Sequence, residues 1–143
     1  MTNKTLMKAI LAMDSYNRGY NPKVDGLSSV KDAKIGNAVI DIQSDVDDGK
    51  PGVNASFYAI SYNYSGKTII SYRGTDAIVE WPSDIIEGWV GGLGAYKNSQ
   101  SYLAADFYKA VIGTENPYNT NVEFVGHSLG GGLAGLMAEI YNK

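Results

Sequence analysis

The stretch Asn121–Asn142, NVEFVGHSLGGGLAGLMAEIYN, decides the fold. It opens on a short apolar run, Val122 to Val125, which reads as a buried strand. It closes on Leu133, Leu136, Met137 and Ile140, whose i, i+3, i+4, i+7 spacing marks the buried face of a helix. Between them stands Gly126-His127-Ser128-Leu129-Gly130, a G-x-S-x-G pattern. Set between a strand and a helix, this pattern is a nucleophile elbow, in which the serine occupies a tight, strained turn that lifts its hydroxyl clear of the sheet. Glycine two positions to either side follows from the geometry, because a side chain there would collide across the turn. The helix behind the serine aims its free N–H groups and positive dipole end at the serine's surroundings.

Working outward, 143 residues are enough for one domain with a real core and too few for two ordinary ones. With 44% hydrophobic and 19% charged residues the composition is that of a globular protein. A net charge of −3 leaves no basic excess to neutralise phosphates, so a general nucleic-acid partner is not expected. The absence of cysteine excludes disulfides, thiolate zinc sites and a cysteine nucleophile. The first twenty residues are interrupted by Asp14, Asn17 and Arg18 and lack the apolar core of a cleavable signal peptide. No transmembrane segment is expected either, and the localisation stays open.

Along the chain, Leu6, Ile10 and Met13, with Met7 and Leu11, predict an amphipathic helix over residues 4–16 that packs on a core. Ile35 to Ile42 reads as a strand. Asp45-Val46-Asp47-Asp48-Gly49 does not place its acids at the positions of a calcium loop, so it reads as a solvated acidic loop, and no metal site is expected. Asn54–Tyr64 and Lys67–Tyr72 are rich in aromatic and β-branched residues and predict a hairpin turning at Ser65-Gly66. Pro82 suits the first turn of a short helix, and four glycines between Gly88 and Gly94 predict a tight or flexible connection. Leu103, Phe107, Ala110 and Val111 predict a helix that stops before Gly113. Strands, a hairpin and then helix-strand-helix give an α/β fold, a mixed sheet flanked by helices.

A serine hydroxyl needs a base to take its proton and donors to hold the oxyanion. The only histidine is His127, and adjacent residues on a sharp turn point apart, so it reads as a packing or orienting residue rather than the base. The Leu129 N–H, directly after the serine, is the first expected oxyanion donor. The second is expected from Arg73-Gly74-Thr75 at the end of the second hairpin strand, where Thr75 offers an N–H and a hydroxyl. Trp81, Trp89 and the eleven tyrosines read first as core and rim aromatics, and only second as the lining of an acyl site.

Tyr72-Arg73-Gly74-Thr75, then Trp81 and Asp84, then Gly94-Ala95-Tyr96, and finally Val125 to Gly131 resemble the class 3 lipases, fungal-type triacylglycerol lipases and their bacterial relatives with an α/β-hydrolase fold. The resemblance covers roughly residues 50–142. It implies a serine ester hydrolase acting on lipid acyl esters, without a cofactor, with Ser128 as nucleophile and Thr75 and Leu129 at the oxyanion hole. The family's triad continues with an aspartate and a histidine well downstream of the helix after the serine. Asp76, Asp84 and Asp106 precede Ser128, the wrong order for that acid. Residues 1–143 therefore read as the N-terminal half of an α/β-hydrolase domain, lacking the C-terminal part that carries the triad aspartate and histidine. In that fold the strand 122–125 lies inside the sheet. An exposed edge is thus expected, with a complementing C-terminal polypeptide or self-association as the ways to cover it.

Two other readings compete. Gly130-Gly131-Gly132-Leu133-Ala134-Gly135 matches the G-x-G-x-x-G of dinucleotide sites, but its glycines fall inside the expected helix and no acidic residue follows about 20 positions on. A non-catalytic hydrolase-fold scaffold that binds lipid or a partner is the alternative for a nucleophile without a base.

Overall fold

A computed structural model describes residues 2–74, 100–113, 115–118 and 120–143 of the chain. The decisive stretch folds as read: β5 spans Val122–Gly126 and the last helix, α4, spans Leu129–Tyr141. Before them come α1 (Asn3–Asp14), a single 3-10 turn (Ser15–Asn17), β1 (Lys34–Ile35), β2 (Ala38–Gln43), the one-turn helix α2 (Pro51–Asn54), β3 (Ala59–Tyr64), β4 (Lys67–Tyr72) and α3 (Gln100–Ile112). The five strands form one mixed sheet in the order β1-β2-β3-β4-β5, so the fold is α/β. Neighbours are antiparallel as far as β4, and β4 and β5 run parallel.

The β4–β5 register decides where the chemistry sits. Thr68 lies beside Val122 and Tyr72 beside Gly126, so the two strands end level. Two residues further along each, Gly74 and Ser128 leave the same end of the sheet. Strand β4 is buried on both faces, which explains its unbroken run Ile69-Ile70. Ile70 and Tyr72 face a core with Phe57, Ala104, Phe107, Tyr108, Leu133 and Met137, under α3 and α4. Ile69 faces the other core with Leu11, Ile40, Tyr58, Ile60 and Tyr62, under α1. Two helical layers thus enclose the sheet.

Two strand expectations are corrected and one turn is found as read. The strand expected over residues 35–42 is a tight hairpin, β1 turning into β2 through Gly36, whose φ is 57°, and Asn37. The first half of the strand expected over 54–64 is taken by α2, with Pro51 in its first turn, and by residues leading to β3 at Ala59. The hairpin at Ser65-Gly66 is present, both residues having positive φ as a two-residue turn of type I′ requires.

Helix α1 forms with its inward face turned partway from the expected stripe. Of the expected core residues Leu11 is buried and Met7 packs beside it, but Leu6, Ile10 and Met13 are 48%, 42% and 49% exposed, and Ala12 and Asp14 are buried in their place. Polar chemistry turned the helix. Asp14 pairs with buried Arg18 at 3.0 Å and accepts the Tyr62 hydroxyl at 2.7 Å, which fixes the Leu11–Asp14 side against the sheet. Burial first, and then the Asp14 carboxylate, push the Tyr62 phenol far above its ordinary range, so it stays a proton donor.

Candidate active site

The site is assembled where β4 and β5 end. Ser128 has φ 58° and ψ −126°, a combination open to glycine and costly for any residue with a Cβ, and it is exposed. It occupies the N-cap position of α4, where a serine hydroxyl ordinarily accepts a helix N–H, yet its side chain makes no capping bond. The hydroxyl has no hydrogen-bond partner among the described residues.

The strained turn is held by the glycines around it. A Cβ on Gly126 would lie 2.2 Å from the Gly130 carbonyl oxygen, and one on Gly130 would lie 1.9 Å from the Tyr72 carbonyl oxygen. A Cβ on Gly74 would lie 2.7 Å from the Tyr16 hydroxyl and 3.0 Å from the His127 carbonyl. Strand ends, elbow and helix start therefore meet at backbone-to-backbone distance, and glycine is the only residue that fits at these points. The Gly130 N–H donates to the His127 carbonyl at 3.0 Å and the Gly132 N–H to the Ser128 carbonyl at 3.2 Å. The Leu129 N–H, one residue before Gly130, has no acceptor among the described residues and stands at the positive end of α4.

His127 is exposed, and its ring lies edge-on to Tyr16 with centroids 6.0 Å apart. It makes no side-chain hydrogen bond to Ser128. Thr75, together with Asp76, Trp81, Asp84, Trp89 and the Gly94–Tyr96 segment, lies outside the described residues. Asp106 is on α3 and lines a separate cleft of about 360 Å³ against Ile42, Pro51 and Phe57. The G-x-G-x-x-G glycines lie within α4, and the first of them, Gly130, packs against the Tyr72 carbonyl rather than opening a phosphate cradle, which counts against the dinucleotide reading. Among the described residues there is no cluster of acids and histidines able to hold a metal ion, and no helix is long and apolar enough to cross a membrane.

Two side chains with parts at this site escaped the sequence reading. Arg73 is buried rather than turned toward the elbow. Its Nη1 donates to the carbonyls of Arg18 at 3.1 Å and Tyr20 at 2.8 Å, and its guanidinium sits 4.7 and 4.6 Å from the Tyr20 and Tyr58 ring centres. It pins the segment after α1 onto the end of β4, a cation–π sandwich with two hydrogen bonds from Nη1. Tyr16 donates its hydroxyl proton to the His127 carbonyl at 2.9 Å and accepts the Gly74 N–H at 3.2 Å. No local pattern marks either role, since the Tyr16 partner lies 111 residues away.

Comparison with known proteins gives the same class of chemistry. Residues 7–143 match the family model of a Tle-like phospholipase domain, described as phospholipase-like. The chain matches no curated protein and no solved structure. The family match carries the resemblance to lipases to the level of a lipase- or phospholipase-like hydrolase, and not to the class 3 family in particular. With that match over nearly its whole length, the chain belongs to the family of Tle-like phospholipase domains, hydrolases of the lipase and phospholipase type.

Proposed function

We propose that this chain carries the nucleophile of a serine carboxylic-ester hydrolase that cleaves acyl esters of phospholipids through an acyl-enzyme, with motif order nearest to that of the class 3 lipases. The observation that carries the reading is Ser128 itself: exposed, held at positive φ, and occupying a helix N-cap without capping it. Its Oγ adds to the ester carbonyl carbon while its proton passes to a base. The carbonyl oxygen, now negative, is held by the Leu129 N–H and by Thr75, each such donor being worth roughly 3 kcal/mol in the transition state. Collapse expels the lysophospholipid alcohol, and water then releases the fatty acid from Ser128.

His127 is not that base, since its backbone is clamped and its ring lies against Tyr16. We place the base, and the acid that orients it, outside these 143 residues, on a polypeptide segment lying along β5. The support is a groove of about 390 Å³ over Phe124, Val125 and Gly126, walled by Ala12 of α1 and Ala134 of α4. Small residues there leave room for another backbone, and β5 has no strand on that side among the described residues. A second copy of the chain is the other occupant of this edge. The lack of an imidazole in reach of Ser128 among the described residues favours one alternative, a non-catalytic scaffold that binds lipid or a partner.

The test is product analysis on glycerophospholipid vesicles. Release of fatty acid and lysophospholipid, abolished by Ser128→Ala, is the expected outcome. Cleavage on the phosphate side of the glycerol, or full activity in Ser128→Ala, contradicts the proposal. Vesicle binding with no hydrolysis by the intact protein favours the scaffold.

A further inference from the structure

We propose that Tyr16 is a positioning residue for the nucleophile, a clamp that ties the turn leading into Ser128 to the end of β4; this rests on the reading of Ser128 as nucleophile. A tyrosine hydroxyl has one proton to give and lone pairs to receive. Here the proton goes to the His127 carbonyl, 2.9 Å away, and a lone pair takes the Gly74 N–H at 3.2 Å. One oxygen atom therefore ties the end of β4, one residue before Thr75, to the end of β5, one residue before Ser128.

The His127 carbonyl also accepts the Gly130 N–H at 3.0 Å, so both of its lone pairs are used. Two donors on one carbonyl fix the peptide plane that leads into Ser128, and rotation of that plane is the φ of Ser128. A residue at φ 58° with ψ −126° persists only where its surroundings over-determine it, and Tyr16 supplies one of the two restraints.

Tyr16 is itself held independently of any substrate. It sits in the 3-10 turn between buried Asp14 and Arg18, whose ion pair closes the turn. Its own carbonyl accepts the Lys23 N–H at 2.8 Å, and the next turn is anchored by Arg73 through the Arg18 carbonyl. The exposed-looking loop after α1 thus forms a rigid seat for one hydroxyl.

Tyr16→Phe removes that hydroxyl and keeps the ring against His127. The experiment is the rate of fluorophosphonate bonding to Ser128 in the intact enzyme, resolved into probe affinity and maximal rate, with thermal unfolding measured in parallel. Tyr108→Phe serves as the control, since it loses hydroxyl bonds to Pro117 and Thr120 at the far end of β5. The expected result is a maximal rate lowered about tenfold or more in Tyr16→Phe, with probe affinity kept and the folded fraction unchanged. The Tyr108→Phe rate stays at the wild-type level whatever its unfolding temperature. A Tyr16→Phe rate within about twofold of wild type, or a loss no larger than its unfolded fraction, overturns the clamp while leaving Ser128 as nucleophile. A wild-type enzyme that takes no probe at Ser128 overturns both.

Discussion

The backbone of Ser128 is the most expensive conformation at the site, and its cost separates function from stability. Positive φ on a residue with a Cβ stores about 1–3 kcal/mol, relieved by glycine at the same place. Ser128→Gly is therefore expected to stabilise the fold by about 1 kcal/mol, after glycine's own entropy loss, while abolishing ester hydrolysis; thermal denaturation and an acyl-ester assay on one preparation check both. A loss of stability in this variant would mean that the serine side chain is engaged in packing. The strained turn at Ser128 was legible in the sequence because an elbow is local, five residues between a strand and a helix. The roles of Tyr16 and Arg73 were not, because their hydrogen-bond partners come from 53 to 111 residues away and follow no period. Arg73 reads naturally as part of an oxyanion motif, and only the fold reveals a guanidinium buried between Tyr20 and Tyr58.

Among the elements, α4 joins two kinds of glycine. A glycine inside a helix is ordinarily about 1 kcal/mol worse than alanine. Gly135 meets nothing within 4 Å of an added Cβ, so Gly135→Ala is expected to stabilise by about 0.5–1 kcal/mol. Gly130→Ala is expected to reverse the sign, costing about 3 kcal/mol, because its Cβ would enter the Tyr72 carbonyl. Urea denaturation of the two variants is the check, and two changes of the same sign would contradict the packing described at the elbow. Helix α1 marks where periodicity gave only part of the buried face, Leu11 and Met7. Leu6, Ile10 and Met13 trace a regular apolar stripe, yet the inward side was chosen by Leu11, Ala12 and the Asp14–Arg18–Tyr62 network. Apolar spacing cannot report a buried carboxylate whose partners lie in a turn and on a distant strand. Asp14→Ala leaves Arg18 buried and unpaired and is expected to cost about 3–5 kcal/mol, read by the same denaturation at neutral pH.

At the scale of the molecule, Glu123 joins α1 to the sheet at the end opposite the elbow, pairing with Lys67 at 2.5 Å and with Lys8. The Lys67 and Lys8 bonds hold its carboxyl below the ordinary glutamate value of 4.5. A depressed carboxyl gives stability that is fully present above that value and is lost as pH falls through the folded pKa. Glu123→Gln is therefore expected to cost at most about 1 kcal/mol at neutral pH and nothing in strong acid, so the two pH–stability curves converge below pH 4.5. The layered α/β plan was readable because β4, β5 and α4 each carry their own pattern. No base for Ser128 could be read from the same pattern, because the one imidazole of the sequence, His127, is its immediate neighbour on a sharp turn. The whole account turns on Ser128, and the most direct measurement is peptide mapping of the intact enzyme after fluorophosphonate treatment, with Ser128→Ala alongside. The expected result is a single adduct on the peptide holding Gly126 to Gly130, absent from the variant. An adduct elsewhere, or none on an enzyme that still hydrolyses phospholipid, would contradict it.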